Sequence, residues 1–254
     1  MKTIEEAILA VKSFDFKNAT QKEIEEIIPT FGMNDEYIEE MPKSLSKHFG
    51  WGIRIWQYPN QFSKFLCYLK DKEIDSYFEM GVRYGGTFIL VNELLLKKNP
   101  VLESHCLDLI PPSEVLSIYQ HKFRKNRFFY HQASSQDITI FDMLGETNPY
   151  FINKKIDMVF IDACHTYQCV KRDYFIALML GAKYIVFHDI VSVVTKGVQN
   201  FWSEIKNTHK NCTEFIDQYD EVDGSYMGIG VVEVTKEDNI FPMFKPHYHH
   251  LFEW

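Results

Sequence analysis

The sequence has no surplus of positive charge: 27 lysines and arginines stand against 35 aspartates and glutamates, and the net charge is −8. A protein that binds nucleic acid needs a clustered basic face to neutralise phosphates, and the basic residues here are scattered. We therefore expect no nucleic-acid partner. Long apolar runs are also missing, since the longest are far below the roughly 20 residues that span a bilayer. We expect no transmembrane helix.

The cysteines are few, odd in number and never spaced as CxxC. This spacing favours neither a disulfide framework nor a zinc site. No apolar signal segment is found ahead of them, so a reducing cytoplasm is the expected location. The five positions are Cys67, Cys106, Cys164, Cys169 and Cys212.

What the chain does contain is enough apolar material for a large core, because 46% of its 254 residues are hydrophobic and 15% are aromatic. Residues 1–73 have a charged, helical pattern and are predicted to form an amino-terminal helical appendage. Within them, residues 49–61 combine glycine, proline and large aromatics, which indicates a lid loop. Residues 74–254 are predicted to form the main domain with a carboxy-terminal tail.

From residue 74 onward, short β-rich runs alternate with helical patterns, which is typical of a parallel sheet with crossover helices. Only a turn signal, Asp223-Gly224, separates the last two strands, so we expect these two to pair antiparallel. Strands are predicted at 76–80, 103–107, 127–131, 158–161, 184–187, 214–217 and 227–234. Helices are predicted between them at 87–98, 113–125, 138–144, 167–180 and 198–206.

A glycine-rich turn follows the first predicted strand, where residues 79–87 read EMGVRYGGT. Its spacing misses the GxGxxG fingerprint of dinucleotide-binding proteins, which disfavours an NAD-dependent dehydrogenase. Asp108 follows the next strand, about 20 residues further on, where a carboxylate can accept both hydroxyls of a ribose. Glu79 would repel a pyrophosphate but suits the ammonium and sulfonium of S-adenosylmethionine. The pattern predicts an adenosine-type cofactor; a plain strand-to-helix turn is the alternative.

Polar residues also follow the fourth and fifth strands. Asp162 and His165 come after the fourth, and His188 and Asp189 come directly after the fifth. Carboxylates next to buried strands are costly unless they are solvated, hydrogen-bonded or bound to a cation. Oxygen ligands favour Mg²⁺, Ca²⁺ or Mn²⁺, so the pattern indicates a divalent-metal site.

Four motifs together resemble the class I S-adenosylmethionine-dependent methyltransferases, within them the branch of the macrocin- and mycinamicin-type sugar O-methyltransferases and the cephalosporin hydroxylase relatives. The motifs are EMGVRYGGT at 79–87, IDACHTY at 161–167, FHDI at 187–190 and GVQNFW at 197–202. The resemblance covers roughly residues 74–234. It implies an α/β fold with a Rossmann-like, seven-stranded, mostly parallel sheet and helices on both faces, to which the amino-terminal appendage is added.

The resemblance also implies roles for individual residues. His165 matches the general base, with Asp162 and His188 as further catalytic residues. The metal ligands would be Asp162, Asp189 and His188, with a histidine at a position where the family has an acid. Cofactor binding would fall to the glycine turn, the ribose-binding acid and the segment after the third strand, namely Glu79, Gly81, Gly85, Gly86, Asp108, Ser134, Ser135 and Asp162.

These observations predict an O-methyltransferase that uses S-adenosylmethionine, with Mg²⁺ assisting. The expected acceptor is small and polar, such as a sugar hydroxyl of a surface glycan or natural product, and we expect a homodimer. The alternative is a non-methylating relative. It would be either an iron-dependent hydroxylase that uses the imidazoles and carboxylates after the fourth and fifth strands, or a nucleoside-binding subunit.

Overall fold

The computed structural model describes residues 1–124, 127–137 and 155–235. The helix predicted at 138–144 and the tail after residue 235 lie outside these ranges. Within the described ranges, no helix combines the length and apolar character needed to cross a membrane.

A seven-stranded sheet forms the centre of the molecule, with strand order β3-β2-β1-β4-β5-β7-β6. Strands β1 to β5 run parallel, and β7 runs antiparallel to both β5 and β6. This confirms the fold class predicted from the sequence. The strands are β1 Ser76–Met80, β2 Glu103–Asp108, β3 Phe128–Gln132, β4 Met158–Ile161, β5 Tyr184–Phe187, β6 Cys212–Phe215 and β7 Ile229–Glu233.

The sixth strand was predicted two residues too late, at 214–217. It lies at the edge of the sheet, and of its four residues only Phe215 is buried. Its bounds are set by pairing with β7, where Cys212 faces Val232 and Phe215 faces Ile229. Because these bounds depend on pairing with a strand that is distant in the sequence, the apolar pattern of β6 does not reveal where the strand begins and ends.

Seven α-helices are described: α1 Ile4–Ser13, α2 Gln21–Ile27, α3 Pro59–Leu69, α4 Gly86–Leu96, α5 Glu114–Ile118, α6 Tyr167–Met179 and α7 Lys196–Thr208. The continuous helix predicted at 113–125 is wrong in part, because α5 gives way to a π-helical turn, Tyr119–Phe123. At this turn the buried Tyr119 hydroxyl accepts from Asn92 and donates to Glu93 of α4, at 2.8 and 2.7 Å.

The two faces of the sheet are covered by different helices. Tyr77 and Phe160 belong to an apolar cluster with buried residues of α3, α4 and α5, whereas Phe78 and Val159 belong to a second cluster with α6 and α7. Successive strand residues therefore point into opposite cores, as expected for a parallel sheet buried on both sides.

The amino-terminal helices have strong start signals and pack on the first of these clusters. Thr3 with Glu6 and Thr20 with Glu23 form complete capping boxes at α1 and α2, an arrangement that satisfies two free backbone N–H groups at each helix start. Buried side chains of α1, such as Val11, lie in the same cluster as those of α4. Residues 1–69 thus cover one face of the sheet and extend to its carboxyl edge.

Candidate active site

Hydrogen bonding continues past the strand ends and brings the predicted polar residues together. The Gly81 N–H donates to the Leu107 carbonyl at 2.9 Å, and the Asp162 N–H donates to Met80 at 2.8 Å. The His188 N–H donates to the Ile161 carbonyl at 3.1 Å. The residues after β1, β2, β4 and β5 therefore meet at the carboxyl edge of the sheet, where open α/β sheets bind their ligands.

One cavity of about 740 Å³ opens at this edge. Every site residue predicted from the sequence lines it: Glu79, Gly81, Gly85, Gly86, Asp108, Ser134, Ser135, Asp162, His165, His188 and Asp189. A larger hollow of about 1120 Å³ contains none of them and lies at the amino-terminal edge, around Ser76 and Glu103. The carboxyl-edge cavity is hereafter the central cavity.

Backbone strain is concentrated around the central cavity. In the described part of the chain, five residues other than glycine have a positive φ. Such residues are uncommon and cost of order 1–3 kcal/mol each, and they cluster at functional sites. All five line the central cavity: Tyr37, Arg54, Arg83, Asp189 and Met227.

The glycine turn is shaped by close backbone contacts. Gly81 has φ +84°, and a Cβ placed on it would lie 2.2 Å from the Asp162 carbonyl oxygen, so another residue here would displace the backbone of the loop that follows β4. One Asp108 carboxylate oxygen accepts from the Val82 and Arg83 N–H groups, at 3.2 and 2.8 Å. Asp108 thus holds the turn in place while facing the cavity.

Glu79 is an acid enclosed in the sheet beneath the turn. It is buried and accepts a hydrogen bond from the Tyr77 hydroxyl. Burial raises the pKa of Glu79 well above its usual value, and the hydrogen bond from Tyr77 only partly opposes this. A cationic ligand in the central cavity would favour the ionised form of this carboxyl.

Two aspartates and two histidines form a compact cluster on the far side of the turn. The His188 Nδ1 atom lies 3.1 Å from Asp162 Oδ1 and 3.4 Å from Asp189 Oδ1. The His165 Nε2 atom lies 3.5 Å from Asp162 Oδ1 and 3.7 Å from Asp189 Oδ2. Both imidazoles therefore face the same pair of carboxylates.

The two histidines differ in exposure and in basicity. The His188 side chain is 6% exposed and that of His165 is 43% exposed. Burial lowers the pKa of His188, but the charges of Asp162 and Asp189 outweigh burial and raise it to about 9. A hydrogen bond to Asp162 raises the pKa of His165 above its usual value. At neutral pH, His188 is thus the resident cation, and His165 is the imidazole open to ligands.

The pKa values of the two carboxylates in this cluster, Asp162 and Asp189, are shifted in opposite directions. Burial alone would raise the pKa of Asp162, but the charge of His188 and the hydrogen bonds from both histidines lower it. Burial raises the pKa of Asp189, and the nearby Asp162 adds to that effect. Asp162 is therefore the firmly ionised member of the pair.

The cluster also has a donor set that fits a divalent cation. One donor atom each from Asp162, His188 and Asp189 lie within 4.8 Å of one another. Two carboxylates and an imidazole suit ions such as Mg²⁺, Mn²⁺ or Fe²⁺. Such an ion competes with the His188 proton, because a ligating imidazole must be neutral.

Local structure fixes the position of His165. Thr166 is the N-cap of α6, and its hydroxyl accepts from the Cys169 N–H at 3.4 Å. A Cβ on Gly197, in the first turn of α7, would lie 2.4 Å from the His165 carbonyl oxygen. The loop carrying His165 is therefore held between a helix cap and the start of α7.

The segment after β3 is tied to α6 by a buried aspartate. Gln136 Nε2 donates to Asp173 Oδ1 at 2.7 Å and to the Ser135 hydroxyl at 3.1 Å. Asp173 is fully buried, and burial raises its pKa to about 7, although the hydrogen bonds of its carboxylate with Ser135 and Gln136 oppose the rise. The segment after β3, which includes the predicted cofactor-binding residues Ser134 and Ser135, is thus held by a carboxyl group whose pKa is raised.

The raised pKa of Asp173 makes stability fall with pH. Between about pH 4 and pH 7 the folded protein holds a proton that the unfolded chain releases, so the free energy of unfolding decreases as pH rises. The difference is up to about 4 kcal/mol for a shift of this size. Asp173→Asn should flatten this part of the pH–stability curve in denaturant titrations, whereas the exposed Asp71→Asn should not. An unchanged slope in Asp173→Asn would contradict the assignment.

Sequence reasoning missed one side of the central cavity. This amino-terminal wall consists of Tyr37, Glu40, Arg54 and Trp56, from residues 1–73. Arg54 and Trp56 had a signal, since both lie in the aromatic segment 49–61 interpreted as a lid loop. Tyr37 and Glu40 reach the site through tertiary contacts, which spacing along the chain does not report.

Glu36 ties this part of the chain to the glycine turn. Its carboxylate accepts from Arg83 Nη2 at 2.8 Å and from the Tyr84 hydroxyl at 2.6 Å. The Arg54 guanidinium also lies 3.7 Å above the Tyr84 ring. The glycine turn is therefore held by side-chain contacts with Glu36 and Arg54 and by the hydrogen bonds of its backbone N–H groups to Asp108.

Comparison with known proteins gives the class. Residues 78–190 match the family model described as a methyltransferase domain. The matched region runs from β1 to the residues after β5 and includes the glycine turn and the Asp162–Asp189 cluster. No curated protein matches the sequence.

Several solved structures resemble the chain at low identity. An O-methyltransferase from Bacillus cereus, in complex with S-adenosylhomocysteine, has a TM-score of 0.49 and 14% identity, covering 87% of this chain and 92% of that one. A putative O-methyltransferase from Klebsiella pneumoniae has a TM-score of 0.48 and 14% identity, with coverages of 91% and 96%. MycE of the mycinamycin pathway, in complex with Mg, S-adenosylhomocysteine and mycinamycin VI, has a TM-score of 0.43 and 16% identity, with coverages of 72% and 50%.

The strand order and the domain match agree with the class I methyltransferase fold that the resemblance implied. The part of the chain that matches the methyltransferase domain is residues 78–190.

Proposed function

We propose that the protein transfers the methyl group of S-adenosylmethionine to an oxygen of a small polar acceptor, such as a sugar hydroxyl of a surface glycan or natural product. The observation that supports this most is the meeting of Asp108 and the glycine turn with an exposed imidazole, His165, in one cavity. A methyl donor and a base are the two requirements of O-methylation.

The cofactor would lie against the glycine turn. One Asp108 carboxylate oxygen accepts from the turn. The other accepts from the Ile110 N–H at 3.4 Å and can also accept from the ribose hydroxyls. Glu79 faces the cationic end of the ligand, and Ser134 and Ser135 lie on the adenine side. When bound, S-adenosylmethionine supplies an electrophilic methyl group on a good leaving group, so the enzyme has to align the acceptor oxygen and remove its proton.

His165 is the best candidate for the base. It is open to the cavity, whereas His188 is buried and carries a proton at neutral pH. Asp162 lies beside His165 and stabilises the imidazolium that forms when the acceptor proton arrives. His188 holds Asp162 and Asp189 in position from behind.

A divalent cation fits beside the base, held by Asp162, His188 and Asp189. When bound, it would lower the pKa of an acceptor hydroxyl, as metal ions do for water. The same donors, with His165, support the second candidate, an iron-dependent hydroxylase.

A radiometric assay tests the proposal. Tritium from methyl-labelled S-adenosylmethionine is followed into a panel of methyl pyranosides and, separately, caffeate. We expect transfer to a pyranoside that falls in excess EDTA and returns with Mg²⁺ or Mn²⁺. Asp189→Asn, which removes one ligand charge, should raise the metal concentration needed for half-maximal transfer.

Two outcomes would overturn parts of this proposal. Full activity of the wild type in excess EDTA shows that no metal takes part. Oxygen consumption with added Fe²⁺, without tritium transfer, supports the hydroxylase instead.

We also propose that residues 1–73 form a helical appendage with a lid loop, that residues 74–254 form the main domain, and that the protein is a cytoplasmic homodimer. The placement of the loop 49–61 over the glycine turn supports this, since a Cβ on Gly86 would lie 2.6 Å from the Ile53 carbonyl oxygen. Light scattering of the full chain measures the mass of the assembly.

A further inference from the structure

The amino-terminal wall carries an aromatic pair that is open to the central cavity. The rings of Tyr37 and Trp56 are stacked, with centroids 5.7 Å apart and an interplanar angle of 21°. Tyr37 is 59% exposed, and both residues line the cavity. Together they present a flat apolar surface of the kind that ligand sites use to hold a ring.

The backbone holds this pair in a strained arrangement. Tyr37 has φ +50° at the start of the short helix Ile38–Glu40, and Arg54, two residues before Trp56, has φ +54°. A bulky residue in this conformation is costly and persists where its surroundings fix it. One contact that fixes this backbone is made by Arg54, whose guanidinium lies on the ring of Tyr84 in the glycine turn, on the cofactor side of the cavity.

Glu40 adds a hydrogen-bond acceptor next to the aromatic pair. Glu40 lines the same cavity as Asp162 and Asp189, which places its carboxyl on the side of the Asp162–Asp189 cluster. Its side chain has no hydrogen bond to residues 1–124, 127–137 or 155–235. An acceptor without an internal partner, at the edge of an aromatic surface, is available to a hydroxyl of a bound molecule.

We propose that Tyr37, Trp56 and Glu40 form the acceptor subsite and bind a pyranose-type ring, with its apolar face on the aromatic pair and a hydroxyl donating to Glu40. This inference rests on the proposed function, because it places the ring beside His165. An anionic aromatic acceptor fits less well. The two arginines that line the cavity, Arg54 and Arg83, are already paired with Asp35 and Glu36, so the carboxylate of such an acceptor would meet the carboxyl of Glu40 without a free arginine among the described residues to balance it.

Binding without turnover tests this subsite. The full chain is saturated with S-adenosylhomocysteine, and saturation-transfer NMR follows methyl glucoside, galactoside and mannoside, with caffeate as the comparison. We expect at least one pyranoside to bind more tightly than caffeate. Tyr37→Asn, which tolerates the left-handed backbone, Trp56→Ala and Glu40→Ala should each weaken that binding by about 10-fold.

The controls separate a binding role from a structural one. Trp51 lies in the same loop as Trp56, but its indole N–H donates to the Lys47 carbonyl at 3.2 Å and its ring does not line the cavity. Trp51→Ala should therefore leave pyranoside binding unchanged. Tyr37→Phe keeps the aromatic ring and should bind the pyranoside like the wild type. Affinity for S-adenosylhomocysteine, measured by calorimetry, should be the same in every variant.

Three results would overturn the subsite: no pyranoside binding by the wild-type complex, binding by Tyr37→Asn and Trp56→Ala equal to that of the wild type, or tighter binding of caffeate. Loss of S-adenosylhomocysteine binding in the wall variants would assign these residues a structural role instead. Failure of the wild type to bind S-adenosylhomocysteine is a different result, which removes the proposed function and this inference with it.

Discussion

His165→Ala lowers the turnover of methyl transfer by about 10²- to 10⁴-fold, the usual contribution of a general base. The variant still binds S-adenosylhomocysteine, because His165 lies on the acceptor side of the central cavity and Asp108 and the glycine turn are unchanged. Tritium transfer to the best pyranoside measures turnover, and calorimetry measures cofactor binding.

The pH profile adds a second readout for this variant. His165 has to be neutral to accept a proton, and its pKa is raised above the ordinary 6.5 by Asp162. Wild-type turnover should therefore rise with pH through a midpoint above 6.5, and this rise should be absent in His165→Ala. His121→Ala is the matched control, since His121 is exposed and lies outside the cavity. Unchanged turnover in His165→Ala would remove this residue from the base role.

Asp108→Ala should weaken S-adenosylmethionine binding by about 100-fold or more. A hydrogen bond to a charged group contributes roughly 1.5–3 kcal/mol, and Asp108 would provide two to the ribose while also holding the turn through Val82 and Arg83. Calorimetric titration with S-adenosylmethionine and S-adenosylhomocysteine measures the loss.

Two further variants separate the roles of Asp108. Asp108→Asn keeps an oxygen for the turn but removes the charge, so we expect an intermediate loss of affinity. Asp71→Asn, at the opposite edge of the sheet, should bind like the wild type. NAD serves as the ligand control: protection of the wild type by NAD, but not by S-adenosylmethionine, in thermal unfolding would contradict the cofactor assignment.

The strand-end residues could be predicted because they depend on local pattern and on one topological rule. Glu79, Asp108, Asp162 and Asp189 each follow an apolar run, and parallel strands bring their carboxyl ends together. The distances within the cluster could not be predicted. In particular, the burial of His188 between two carboxylates depends on the register of β4 and β5.

The amino-terminal wall lay beyond sequence reasoning for a different reason. Tyr37 and Glu40 are in a stretch without helical or strand periodicity, and their place at the cavity depends on side-chain contacts such as those of Glu36. The π-helical turn at Tyr119–Phe123 could not be predicted either, because it depends on contacts with a distant part of the chain: the Tyr119 hydroxyl is hydrogen-bonded to Asn92 and Glu93 of α4.

The link between Glu36 and the glycine turn has a thermodynamic consequence. The residues that it joins, Arg83 and Tyr84, lie on the cofactor side, while Tyr37 beside it lies on the acceptor side. If bound S-adenosylmethionine increases the affinity for the acceptor by some factor, the bound acceptor must increase the affinity for S-adenosylmethionine by the same factor, because coupling between two binding sites is reciprocal. Glu36→Ala removes the hydrogen bonds to Arg83 and Tyr84. It would therefore reduce the effect of the cofactor on acceptor affinity and the effect of the acceptor on cofactor affinity by the same amount.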